Sequence, residues 1–310
     1  MKNEDNNLYV YSFYRFVKVE NKNLVKYVLD DYFKNLSMRG TILIADEGIN
    51  ASISGRANNL LEAIKLIKKK LRIRKLNIKI NKINFLPFNR MKVRLKKEIV
   101  SLGRGKLDTN KLTGKYVHPS KWNETIKRKN MKVIDTRNIY EINIGKFQNA
   151  INPKTNSFRE FPEKLKKIGI TKSDNLALYC TGGIRCEKAS AYLKLKGFKN
   201  IFQLEGGILS YLKHVKEKKN KSLWNGECFV FDNRVTVNKN LKIGKYYQCH
   251  GCRHPITDED KQLKSYEKGI SCKHCIKIRT LSQKKSSASR QKQISLAEEM
   301  RLPHTFKKIT

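Results

Sequence analysis

The period of the apolar positions changes several times along the chain, and each change marks an element. Tyr9–Phe16 (YVYSFYRF) is β-branched and aromatic, the composition of a strand. Asn23–Leu36 then places Leu24, Val25, Val28, Leu29, Tyr32, Phe33 and Leu36 at helical spacing. Gly40–Gly55 (GTILIADEGINASISG) reads as two short strands about a turn near Asp46-Glu47-Gly48. Ala57–Leu71 predicts a second helix with Leu60, Leu61, Ile64, Ile67 and Leu71 along one side. Leu76, Ile78, Ile80 and Ile83 predict a closing strand. The order β-α-β-β-α-β over residues 1–100 is that of a ferredoxin-like α+β sandwich. That order assigns no role by itself.

Periodicity fades over 101–125, where Gly103, Gly105, Gly114 and Pro119 predict a linker. A second αβ unit, 126–221, opens at Met131–Arg137 (MKVIDTR) and continues through a helix at Phe158–Ile168. The run NLALYC, ending at Cys180, predicts a buried strand; Glu187–Lys196 predicts a helix stopped by Gly197. Ile201–Ile208 (IFQLEGGI) predicts another strand entering a Gly-Gly turn. Strands alternating with helices imply a mainly parallel sheet, whose chemistry lies at the carboxyl ends of the strands. Residues 222–281 change character, with short turns and paired cysteines. The stretch 282–310 is a Ser/Lys/Gln-rich basic tail, expected to be flexible, in which Ser295–Met300 can cap a short helix.

Charge narrows the partners. Lys and Arg number 67 against 27 Asp and Glu, a net charge of +40. A Lys-, Asn- and Ile-rich composition explains part of that excess as drift. From Lys65 to Lys97, however, every charged residue is basic, which drift alone does not require. Lys68, Lys69, Lys70, Arg72, Arg74 and Lys75 are therefore the candidate RNA-binding residues. Met1–Phe16 lacks a charged-then-apolar leader pattern, and no apolar run approaches the ~18 residues of a membrane span. A cytoplasmic protein with no membrane partner is expected.

Seven cysteines fall into groups too sparse for a secreted disulfide scaffold. The first group lies in Leu178–Ser190 (LYCTGGIRCEKAS). Cys180 ends a strand, and the turn that follows offers backbone N–H groups and the positive end of a helix dipole. Gly182 and Gly183 can take positive φ and let those amides converge. An anion held there is stabilised, so Cys180 should have a depressed pKa and strong nucleophilicity. Arg185 adds a fixed positive charge. A passive core cysteine would require neither the double glycine nor the arginine, and a phosphate loop would end in Gly-Lys-Ser/Thr. Cys186, near the first helical turn, can resolve an oxidised Cys180 or simply pack. Cys228 has no local partner and is read as structural.

Asp135-Thr136-Arg137, followed by Glu141, Gly145, Ala150 and the strand-end cysteine loop, resembles a rhodanese domain. Within that superfamily the chain resembles the bacterial oxygen-dependent tRNA wobble-uridine hydroxylases. GTILIADEGINASISG, YCTGGIRCEKAS and WNGECFVFDNRV (Trp224–Val235) carry the likeness, with the cysteine pairs in order behind them. The resemblance implies that Cys180 is the nucleophile and can carry a persulfide. It makes Thr181, Gly182, Gly183, Ile184 and Arg185 the anion cradle, with Asp135 and Arg137 bracing the loop or forming a plain ion pair. It also implies hydroxylation of the wobble uridine (position 34) to 5-hydroxyuridine, with O2 as co-substrate and the tRNA anticodon region as partner. The resemblance also leaves a redox role open for Cys228, and the residues disclose no electron donor. A persulfide-forming sulfurtransferase without RNA hydroxylation is the alternative.

Cys249/Cys252 and Cys272/Cys275 form two C-x2-C pairs with 19 residues between the inner cysteines. That spacing suits a four-thiolate structural Zn2+ site, which would stabilise a module poor in apolar residues. A redox dithiol pair or an iron–sulfur cluster are the competing readings. His250, His254 and His274 lie beside the cysteines as possible substitute ligands, and Arg253, Lys273, Lys277 and Arg279 could touch RNA phosphates. The expected whole is an α/β multidomain chain: ferredoxin-like domain, rhodanese-like domain with a parallel sheet, cysteine-rich module and basic tail.

Overall fold

The computed structural model describes residues 7–34 and 36–300. The first six residues of the amino-terminal stretch and the 301–310 end of the tail lie outside that range. The amino-terminal elements follow the predicted order: β1 (Leu8–Phe16), α1 (Lys22–Phe33), β2 (Arg39–Ala45), β3 (Gly48–Arg56), α2 (Ala57–Lys70) and β4 (Ile78–Ile83). A strand that periodicity did not reveal, β5 (Met91–Leu95), extends the sheet to the order β4-β1-β3-β2-β5. It runs parallel to β2, whereas the other pairs are antiparallel.

Strand alternation decides what each face of this sheet carries. Tyr11, Phe13, Ile42, Ile44, Ile53 and Val93 point into the core under α1 and α2. Their neighbours Ser12, Tyr14, Thr41, Ser52, Lys79 and Lys92 therefore occupy the opposite, helix-free face. Ser12 and Ser52 are joined there by a 2.7 Å hydrogen bond. This polar face turns toward the second domain.

The second domain contains β6 (Lys115–Val117), α3 (Pro119–Ile126), β7 (Met131–Asp135), α4 (Ile139–Ile142), β8 (Gly145–Phe147) and α5 (Phe161–Leu165). It continues with β9 (Asn175–Tyr179), α6 (Ile184–Leu195), β10 (Ile201–Leu204) and α7 (Gly207–Lys218). Its sheet is parallel throughout, in the order β6-β10-β9-β7. Leu176 and Leu178 of β9 enter the core that α5 and α6 cover, while Ala177 and Tyr179 enter the other, beside Trp122 and Tyr211. Burial on both faces is why NLALY reads as a continuous apolar run.

Two expectations need correction. The stretch 101–125 is not a plain linker, because β6 pairs with β10, α3 packs against α7, and Leu102 and Leu107 are buried in the α6-side core. A three-residue strand is too short to leave a periodic signal. The stretch 282–310 is not a flexible tail over its described part: α9 (Leu281–Glu299) occupies it, and the Ser295–Met300 signal belongs to its last turns. Thr280 caps α9 reciprocally with Gln283, and Arg279 reaches the Gln283 carbonyl and Ser287. Lys and Gln are good helix formers, so a polar sequence with one buried residue holds its helix once the start is fixed.

Between the second domain and α9 lie short pairs: β11 (Trp224–Gly226) on β8, β12 (Cys228–Phe229) with β13 (Thr236–Val237), and β14 (Tyr247–Gln248) with β15 (Pro255–Ile256). The short helix α8 (Asp258–Lys261) follows.

The two main domains are locked through α6. Lys188 is fully buried, with its ammonium 2.9 Å from Glu47 and 2.9 Å from the Val100 carbonyl, and paired with Glu98. Two acids from the first domain's side thus satisfy one cation on the reactive-loop helix. No helix among the described residues is long and apolar enough to cross a membrane.

Candidate active site

Cys180 follows β9 directly, and α6 begins four residues later. Gly183 supplies the sharp entry with φ +103, a value that strains any side chain. A Cβ there would also lie 2.8 Å from the Tyr14 hydroxyl. Gly182, by contrast, does not adopt positive φ, so only one of the two glycines works through conformation. The Gly183 amide donates to Cys180 Sγ at 3.0 Å. Behind the loop, α7 starts at Gly207, where a Cβ would meet the Cys180 carbonyl at 2.4 Å. The Ile208 and Leu209 amides donate to the Cys180 and Thr181 carbonyls at 2.9 and 3.2 Å. The loop therefore sits across the amino-terminal ends of two helices.

Burial alone would raise the Cys180 pKa. Hydrogen bonds from the Cys186 thiol, the Arg185 charge, and the Cys186 and Gly183 amides outweigh it and hold the thiol well below its ordinary value. Cys186 moves the other way: burial and its bond to Cys180 push it well up. The two shifts run in opposite directions, so Cys180 is the thiol of the pair that ionises more readily and Cys186, which also lies 3.7 Å from the Thr136 hydroxyl, the one that holds its proton more tightly.

The arginine is not a free cation. Arg185 binds both oxygens of buried Glu141 at 2.7 and 2.8 Å, and Glu141 also accepts from the Thr181 hydroxyl at 3.4 Å. Burial raises the Glu141 pKa, and Arg185 more than reverses it. Glu141 is the orienting residue that the sequence reading left without a role. Asp135 and Arg137 act one step further out: Arg137 holds both Asp135 oxygens and donates to the Glu141 and Gly145 carbonyls at 3.2 and 2.7 Å. They brace the segment that carries Glu141 rather than the loop itself. Ile184 packs in the interface cluster with Phe16 and Ala45. Cys228 is buried in the core, which pushes its pKa up to about 12, in line with a structural role.

The first domain covers the loop. Lys79 donates to the Gly182 carbonyl at 2.5 Å, and Tyr14 donates to Glu187 at 2.6 Å. In the sequence Lys79 is one of many basic positions between Lys65 and Lys97; only the fold brings it here. Its burial lowers the ammonium pKa to about 8 against the upward pull of Cys180 and Glu187. Below that pH a second cation faces the thiolate, and above it the charge is lost. Lys79→Met should raise the midpoint of Cys180 ionisation by about one pH unit, the scale set by one nearby charge. Ultraviolet thiolate absorbance against pH checks this; an unmoved midpoint excludes Lys79 from the thiolate's field.

Lys68, Lys69, Lys70, Arg72, Arg74 and Lys75 lie at the end of α2 and just beyond it. Because α2 covers the opposite face of the sheet, this group points away from Cys180. Arg253 instead lines a cavity with Arg90 and Lys92 beside the polar sheet face.

The four paired cysteines converge, with all Sγ atoms within 4.8 Å of one another. Cys249–Cys275, Cys252–Cys272 and Cys272–Cys275 are 3.9, 3.7 and 3.9 Å apart. Those separations are far beyond an S–S bond and match the ~3.8 Å edge of a sulfur tetrahedron about an ion with ~2.3 Å bonds. The residues therefore fit a metal ion. The histidines are not in that four-ligand set; His254 stacks on His274 with ring centroids 5.0 Å apart.

The parallel sheet and its strand-end thiolate define a rhodanese-type protein with an added amino-terminal sandwich and a four-cysteine module able to hold metal. Residues 118–214 match the rhodanese-like domain, and residues 8–99 the UPF0176 acylphosphatase like domain. A protein of Pelagibacter ubique named tRNA uridine(34) hydroxylase is 47% identical over 300 residues, spanning 96% of this chain and 98% of that one. The chain belongs to the tRNA uridine(34) hydroxylase family. Solved structures similar to part of it include a rhodanese-related protein from Thermoplasma volcanium, 29% identical, covering 32% of this chain and 92% of that one with a TM-score of 0.28. A rhodanese-like domain protein from Staphylococcus aureus is 22% identical, covering 31% and 90%, with a TM-score of 0.28.

Proposed function

We propose that this protein hydroxylates the wobble uridine of tRNA, position 34, at C5 to give 5-hydroxyuridine, with Cys180 as its reactive thiol. The observation that carries the reading is the 47% identity with the Pelagibacter hydroxylase over 96% of this chain. The buried, pKa-depressed Cys180 supports it independently. Molecular oxygen is the co-substrate. One oxygen atom enters the C5–H bond, and the other leaves as water with two electrons and two protons from a separate donor. Addition of the Cys180 sulfur at C6 would make C5 electron-rich and open to that oxygen. In this reading the protein works in the cytoplasm, with the tRNA anticodon region as its partner.

The metal is zinc in a structural role, because four thiolates close its coordination and leave no position for substrate. Sulfur transfer alone, with Cys180 carrying a persulfide, would use the same loop. It leaves the polar sheet face and the cysteine module without a task. Nucleoside mass spectrometry of tRNA from cells with and without the gene separates the two readings. Loss of 5-hydroxyuridine and its derivatives on deletion is expected. Unchanged nucleosides, with thiosulfate turnover by the purified chain, would favour sulfur transfer.

A further inference from the structure

Beside the reactive loop, a cavity of about 700 Å3 opens where the first domain, the post-sheet segment, the cysteine module and α9 meet. Its volume lies in the range that admits one drug-sized ligand. Phe231 is 60% exposed at this cavity, so its ring is open to a ligand there. It is nonetheless held firmly. Its neighbour Asp232 is clamped by Arg234 at 2.6 Å, and Asn233 bonds the Pro87 carbonyl and Asn89 side chain at 2.8 and 2.9 Å. One side of the ring is already used by the Arg185 guanidinium, 5.8 Å from the centroid.

Around the ring the charge is positive. Arg90, Lys92, Arg253 and Arg290 line the cavity; of the acids there, Asp232 is spent on Arg234, which leaves Glu298. Burial, together with Arg90, Arg94 and Arg253, lowers the Lys92 pKa, the mark of cations crowded without an anion between them. A fixed aromatic platform ringed by cations is how proteins hold a single-stranded nucleotide: the ring stacks a base, and the cations take its phosphates.

We propose that this cavity binds one nucleotide of a single-stranded RNA loop, its base stacked on Phe231 and its phosphates on Arg90, Lys92 and Arg253. The inference rests on the tRNA reading above and assigns part of its binding surface. Cys180 does not line the cavity, whereas Phe231 touches Arg185 of its loop. The pocket therefore takes a neighbour of the reacting nucleotide, leaving the target base to reach the thiol.

The test is fluorescence anisotropy of a labelled anticodon stem-loop with the full metal-loaded chain, alongside hydroxylation of the same RNA. Phe231→Ala should weaken binding about tenfold, and Phe231→Tyr should restore it. Arg90→Ala with Arg253→Ala should flatten the dependence of log Kd on log salt by about 1.4, the loss of two phosphate contacts on a single strand. If the wild type binds and hydroxylates while the cavity variants bind within twofold of it, the cavity inference falls and the function stands. Equal weakening toward a duplex of the same length would also overturn it, since bulk charge would then explain the effect. A wild type that neither binds nor hydroxylates the RNA overturns both.

Discussion

Cys180→Ser should abolish 5-hydroxyuridine formation by the purified protein, lowering turnover at least about a thousandfold. The Ser hydroxyl fits the same space, but it ionises far too weakly for the Gly183 amide, the Cys186 donor and Arg185 to make it an anion. The loop would keep its shape, because its backbone is fixed by Gly183, Gly207 and the α7 amides rather than by the sulfur. Thermal unfolding should therefore change little, separating lost chemistry from lost fold. Cys186→Ser is the informative companion. The Cys186 thiol stays protonated and serves as a donor, a task a hydroxyl also performs, so turnover should stay within about tenfold of the wild type. If Cys186→Ser is as dead as Cys180→Ser, Cys186 is a resolving thiol that passes through a disulfide. If Cys180→Ser retains full hydroxylation, the thiol has no part in oxygen insertion.

Cys272→Ser should empty the metal site and collapse the module around it. The module's buried residues are Cys249, Ile256, Cys272 and Cys275, with Cys252 and Tyr266 half-buried against them. Burial of Ile256 contributes about 2–3 kcal/mol, whereas four-thiolate zinc binding in small modules contributes about 10–16 kcal/mol. A bound zinc would therefore be the main stabilising term. Elemental analysis should fall from one zinc per chain to below about 0.1, and limited proteolysis should cut within 245–280 while 126–221 resists. The loss would spread to α9, because Arg279 bonds the Ile270 carbonyl and Arg290 the Gly269 carbonyl. Full metal content, or an unaltered cleavage pattern, would remove the four-cysteine set from its structural role. Iron in place of zinc would return the cluster reading.

Much of this was legible because it is local. Helical spacing, strand alternation, the strand-end cysteine and the two C-x2-C pairs are properties of short windows; the exception is the helix expected over Phe158–Ile168, which is a 3-10 turn at Phe158–Glu160 followed by the short α5. β6 was missed because a strand of three residues carries almost no period; β5 alternates Met91, Val93 and Leu95 with Lys92 and Arg94, a short signal lost inside the basic run. α9 was missed because its polar composition also suits a loose tail, and its reciprocal Thr280–Gln283 cap is a small signal.

The basic run shows the boundary most clearly. Lys68 to Lys75 and Lys79 stood in the sequence as equivalent cations of one run. Strand alternation and the docking of α6 set Lys79 against the thiol loop and left the others on the far side of the sheet. Glu141 likewise acquires its role only when α4 is packed beside the loop and both its oxygens meet Arg185. Sequence by itself determined which residues could do chemistry: a thiol at a strand end, four thiols paired for metal, and an excess of cations for RNA. Tertiary structure decided which charge faces which, because a field of a few ångströms depends on contacts between residues far apart in the chain. Lys79 and the Gly182 carbonyl of the thiol loop are 103 positions apart in sequence and meet only in the fold.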